Sequence, residues 1–166
     1  MWTDIWTAIQ REFSDLGDVS QITTVVVRLV VAVALGAMLG YEREHVGASA
    51  GLRTHMLVSL GSALFVLIPL QAGMHISDLS RVLQGVTAGV GFLGAGAILK
   101  SHDENHIRGL TTAAGLWLTA AVGVAAGMGR EATAVLSALF ALAILSLLKY
   151  TKSPPAKGKH GGDQDH

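Results

Sequence analysis

Apolar residues fall in five long runs divided by short polar segments: 23–41, 55–72, 82–99, 110–127 and 131–149. A helix needs about 20 apolar residues to cross a bilayer core, and each run is that long or nearly so. None carries a charge near its centre, and Arg28 in the first is the deepest. Ahead of them Trp2, Ile5, Trp6, Ile9, Phe13 and Leu16 recur at helical spacing. This spacing predicts an amphipathic helix lying in the membrane interface, with its tryptophans at headgroup level. The pattern predicts an all-α membrane protein, a bundle of about five transmembrane helices with a short N-terminal interfacial helix. Residues 1–22 form the interfacial segment, 23–149 the transmembrane domain and 150–166 a disordered tail rich in Pro, Gly and charge.

Composition agrees: 51% of the residues are hydrophobic and 14% charged, with a mean hydropathy of +0.49. No basic stripe with interleaved aromatics suggests a nucleic-acid partner. The absence of cysteine removes disulfides, thiolate metal sites and thiol catalysis. The N-terminal segment lacks the basic region of a signal peptide.

Lys and Arg set an expected orientation. With the N-terminus outside, the inner loops and tail hold Arg43, Arg53, Lys100, Arg108, Lys149, Lys152, Lys157 and Lys159. The outer segments hold only Arg11, Arg81 and Arg130. This positive-inside bias predicts an extracytoplasmic N-terminus and a cytoplasmic C-terminus.

A shift of 58 residues lays one hairpin on the other. Leu35-Gly36-Ala37 falls on Leu93-Gly94-Ala95, Gly51-Leu52 on Gly109-Leu110 and Thr54 on Thr112. Both copies would run in the same direction, a parallel repeat about an axis along the membrane normal. Small residues mark expected helix contacts, because in lipid close backbone approach supplies the van der Waals attraction. Gly36 and Gly40 share a four-residue stripe with Arg28 and Ala32 in the first span. Gly85, Gly89, Gly91, Gly94 and Gly96 crowd the third, which is expected at the centre of the bundle, packed through these glycines or broken to line a solute path.

Polar groups concentrate at the inner hairpin ends: Glu42, Arg43, Arg53, Thr54, His55, Arg108, Thr111 and Thr112. One reading is a structural network, with Thr111 or Thr112 capping a helix and Glu42 pairing with Arg53 or Arg108. Yet a cation at a helix N-terminus opposes the macrodipole. Arg53 and Arg108 both stand there, so a ligand or partner contact at this cluster is the second reading. Arg28 either snorkels to the outer surface or into a structural pair, or serves a function inside the membrane. No metal site is expected: arginines crowd the same loops as the acids, and the spacing in His102-Asp103-Glu104-Asn105-His106 is unspecific. No cofactor is implied. No nucleophile elbow, phosphate-binding glycine loop or HExxH motif is present, so the chain reads as non-enzymatic.

Three blocks resemble the MgtC/SapB family of bacterial inner-membrane proteins: LGYEREHVGASAGLRTHMLVSLGSALF, GVGFLGAGAIL and IRGLTTAAGLWLTAAVGVAAGMG. The family's G-x-E-R stretch falls on Gly40, Glu42 and Arg43, its A-G-L-R-T block on 50–54 and its R-G-L-T-T-A-A block on 108–114. Its longer members carry a soluble domain after the last helix, where this sequence has only a short tail. The resemblance implies a regulator of other membrane machinery in Mg²⁺ homeostasis or low-Mg²⁺ and acid stress, with the ATP synthase or P-type ATPases as partners. The alternative is a small ion or polar-solute transporter or channel built from the two-hairpin repeat. Membrane lipids and a second copy, as a homodimer, are the other expected partners.

Overall fold

The computed structural model describes residues 1–12, 14, 17–99 and 109–147. Six helices follow in chain order: α1 (Trp2–Glu12), α2 (Val19–His45), α3 (Leu52–Gln71), α4 (Leu79–Leu99), α5 (Leu110–Gly127) and α6 (Glu131–Leu147). A single 3₁₀ turn, Ile76–Asp78, leads into α4. No strand occurs among the described residues. Helices α2 to α5 are each long and apolar enough to cross a membrane. Helix α6 is equally apolar but has 17 described residues, about 26 Å at the helical rise. The protein is an all-α, multi-pass membrane protein.

Local signals explain the helix ends. Helix α2 starts at Val19, earlier than its hydropathy suggests, because the Asp18 side chain accepts the Ser20 N–H at 3.1 Å. Helices α2, α3 and α5 end in the same way, with a left-handed glycine: Gly47, Gly73 and Gly129. In each case that glycine's N–H and the next one bond back to carbonyls of the last turn, as Gly47 does to Glu44 and Ala48 to Arg43, both at 3.0 Å.

Helix α5 is the central element. It packs against α2, α3, α4 and α6, and α3 packs against both α2 and α5. The contacts are built on missing side chains. A Cβ on Gly36 would come within 2.8 Å of the His55 carbonyl, and one on Gly40 within 2.7 Å of Leu52 Cα. On the opposite side, a Cβ on Gly123 or Gly127 would collide with the carbonyls of Ser59 or Ala63. The core around them is small and aliphatic: Ala32, Leu39, Ala63, Val122, Ala126 and Ala138 are all buried. Buried Ser59 donates to the Ala32 carbonyl at 2.7 Å, tying α3 to α2.

The third span was expected at the centre, and the structure corrects this. Helix α4 sits at the edge, packed on α5 and meeting α3 only thinly. A Cβ on Gly85, Gly89, Gly91 or Gly96 would meet nothing within 4 Å. Of the glycines expected to pack, only Gly94 in this helix touches a neighbour, 3.4 Å from the Ala113 Cβ. Glycine density marks where close approach is allowed; it does not say which face receives a partner.

The two-hairpin pattern has a counterpart in space. Gly36 of α2 abuts His55 of α3, and Gly94 of α4 abuts Ala113 of α5, positions related by the same 58-residue shift. Gly51 and Gly109 are both the residue before the second helix of their hairpin.

Candidate functional site

The end of the bundle where α2 turns into α3 gathers most of the expected cluster. Glu42 and Arg43 close α2 as a buried ion pair, with Nε and Nη2 of Arg43 both reaching Oε2 of Glu42. Arg43 is only 6% exposed, so the pair is sheltered from water, where a charge needs its partner most. Its neighbour Glu44 points the other way. Its Oε2 accepts the Leu52 N–H at 2.8 Å, capping α3 across the loop. Gly51, the residue before α3, offers no side chain for this. A Cβ there would lie 2.7 Å from the same Glu44 oxygen, so the glycine makes room for the remote cap.

His55 lies one turn into α3 and is fully buried. Its Nδ1–H donates to the Gly51 carbonyl at 2.9 Å, and its Nε2 faces the helix α5 backbone near Gly115 with no hydrogen-bond partner among the described residues. Hydroxyl side chains are buried on the same two helices, Ser59 and Ser62 of α3 and Thr112 and Thr119 of α5. Thr119 is satisfied by the Gly115 carbonyl at 2.8 Å. Ser59 and Thr119 thus spend their hydroxyls on backbone carbonyls inside the bundle, Ser59 across to α2 and Thr119 within α5.

Arg53 and Thr54 turn away from Glu42, exposed on the opposite side of α3. The expected Glu42–Arg53 pair does not form, because Glu42 is engaged with Arg43 inside the bundle. Arg53 instead stands at one end of an open groove of about 830 Å³ between α3 and α4, with Arg81 at the other. The expected threonine caps are also absent. Gly109 precedes α5 with a left-handed φ of 94° and no side-chain cap, so Thr111 and Thr112 lie inside the helix, the first exposed and the second buried. Arg108 lies outside the described residues, as do His102, Asp103, Glu104 and His106.

At the opposite end Arg28 is resolved as a structural joint. Its Nη1 donates to the Gly127 carbonyl at 3.2 Å, at the C-terminus of α5. Its Nε is 4.0 Å from Glu131, the first residue of α6. A cation at a helix C-terminus and an anion at a helix N-terminus both match the macrodipole. Left-handed Gly129, whose Cβ would meet the guanidinium at 2.5 Å, lets the α5–α6 turn fold over the arginine. Glu44, Glu131 and Gly127 take part in these joints without having been expected there from the sequence. Glu131 had a signal: it is the acid at the start of a span on the same side as Arg28. Glu44 had none, since its partner is a backbone N–H. Among the described residues no three His, Asp or Glu side chains come together as a metal site.

The arrangement fastens neighbouring helices to one another and leaves an open groove between α3 and α4. Comparison with known proteins places it. The sequence profile of the MgtC family matches residues 29–153, nearly the whole bundle. Protein SrpB of Synechococcus elongatus is 45% identical, over 74% of this chain and 73% of its own length. Protein MgtC of Brucella abortus is 43% identical over 73% of this chain. The Escherichia coli K12 protein named "Putative magnesium transporter YhiD" is 37% identical over 74% of it. The match covers only 50% of that MgtC and 59% of YhiD. No solved structure matches. The length of the profile match and the 45% identity to SrpB over nearly three quarters of both chains together establish that this chain belongs to the MgtC family.

Proposed function

We propose that the protein is a non-catalytic regulator in the bacterial inner membrane, acting on other membrane machinery in Mg²⁺ homeostasis or adaptation to low Mg²⁺ and acid. The observation that carries this reading is the closed centre of the bundle. Glycines bring α2, α3 and α5 to backbone contact, and the charges near them serve joints: Arg43 with Glu42, Glu44 with the α3 N-terminus, Arg28 with α5 and α6. A selective cation path uses rings of carboxylates or carbonyls facing a pore, and the described core carries side chains that fasten helices instead. The N-terminus is extracytoplasmic in this reading, so the α2–α3 loop faces the cytoplasm and presents Val46 and Ser49 to a partner. Helix α1, none of whose residues is buried, lies in the interface.

The family supports the Mg²⁺ link through the names MgtC and YhiD. The YhiD name also supports the second reading, transport, in which the α3–α4 groove would complete a path between two copies. Site-directed photo-crosslinking from Val46 and Ser49 in cells shifted to low Mg²⁺ tests the first reading. A discrete adduct with another inner-membrane protein is expected. Adducts with copies of this chain alone would contradict it.

A further inference from the structure

The groove between α3 and α4 has a construction that helix fastening does not explain. One wall is the stripe Arg53, Leu57, Gly61, Phe65 of α3, at four-residue spacing. The other is Arg81, Gly85, Gly89, Leu93 of α4, at the same spacing and running the opposite way. Each stripe begins with an arginine in the first turn of its helix, continues through glycine and ends on a large apolar side chain. The groove is therefore two half-grooves related by reversal, with a cation at each mouth and an apolar floor between. Each stripe spans twelve residue steps, about 18 Å at the helical rise, close to the ~15 Å depth of one leaflet's hydrocarbon.

We infer that this groove is a phospholipid site, taking an acyl chain from each leaflet with its phosphate on Arg53 or Arg81. An apolar trough of about 830 Å³ facing the hydrocarbon is filled by something, because unfilled space forfeits dispersion contacts along its lining. Charge decides the occupant. Both arginines stand at helix N-termini, where a cation opposes the dipole and an anion is favoured. Neither has an ion-pair partner among the described residues, and Asp78, three residues before Arg81, does not pair with it. A guanidinium takes a phosphate through two parallel hydrogen bonds, and the Thr54 hydroxyl stands beside Arg53 to add a third. Helices α3 and α4 run in opposite directions and each is long enough to cross a membrane, so their first turns, which carry the two arginines, approach opposite phosphate layers. A second copy of this chain meets the need poorly. At the Arg53 end it brings another Arg53, a Glu44 already bound to the Leu52 N–H and a Glu42 buried against Arg43.

Native mass spectrometry of the full-length protein, released from bilayers of phosphatidylglycerol and phosphatidylethanolamine, reads the occupancy. Wild type should retain phosphatidylglycerol. Arg53→Gln and Arg81→Gln should each lower retention about ten-fold, the equivalent of one charge-assisted contact, with Arg53→Lys intermediate. Gly89→Leu, which fills the floor without changing charge, should lower it comparably, and all variants should keep the wild-type unfolding midpoint because these positions are open. Bare wild-type protein would overturn the inference. So would retention unchanged in the variants, a lipid-free dimer, or displacement of the lipid by millimolar inorganic phosphate.

Discussion

Arg28 illustrates how a charge inside a span becomes tolerable. It is answered by a carbonyl at 3.2 Å and a carboxylate at 4.0 Å, each at a helix end whose dipole suits it. Arg28→Met should destabilise the protein by about 1.5–3 kcal/mol, the range for a charge-assisted hydrogen bond. Glu131→Gln should cost at most about 1 kcal/mol, since Glu131 is partly exposed and at the limit of ion-pair distance. Thermal unfolding in mild detergent checks both. The glycines make a sharper contrast. Gly123→Ala sets a methyl against the Ser59 carbonyl and should cost about 1–3 kcal/mol through overpacking. Gly91→Ala meets nothing and should be neutral or slightly stabilising, because alanine has the better helix propensity. Both are glycines in apolar helices, and sequence alone gives them the same weight. Only the partner helix distinguishes them.

Helix number and order were legible because hydropathy runs of this length have no other stable form in lipid. The boundaries were less so. Helix α3 begins at Leu52, ahead of the apolar run that starts at 55 and one residue before the Arg53 expected to open it, with Glu44 capping it from the end of α2. A cap that crosses a loop leaves no local signature. Glu44→Ala should lower stability by about 0.5–2 kcal/mol, read as a lower unfolding midpoint, and Gly51→Ala should do the same by displacing the Glu44 carboxylate. The inner cluster was legible as residues; of its expected pairs Glu42–Arg53 does not form, because Glu42 and Arg43 turn inward while Arg53 turns out to the groove, and Arg108 lies outside the described residues. Helix α1 is a separate element with no buried residue. Removing residues 1–12 should leave the helical content and unfolding midpoint of the remainder unchanged, and a large loss by circular dichroism would show that α1 is part of the bundle.

The whole molecule is a pair of hairpins around α5, fixed by glycine contacts and charged joints at both ends, with α6 added alongside. Its orientation can be read directly because the chain has no cysteine. A single cysteine at Gly47 should react with an impermeant maleimide only after the inner face is opened, and one at Gly73 in intact cells. The family was legible in the ordered blocks around Glu42, Arg53 and Gly94. The closed core was not, because it rests on Gly123 and Gly127 meeting the α3 backbone, a relation between distant segments. That core is the basis for reading the protein as a regulator. The most direct test is Mg²⁺ uptake into liposomes containing the purified full-length protein, followed with an entrapped fluorescent indicator. Uptake should be no faster than in protein-free liposomes. Uptake that depends on the protein and is abolished by Arg53→Ala would contradict it.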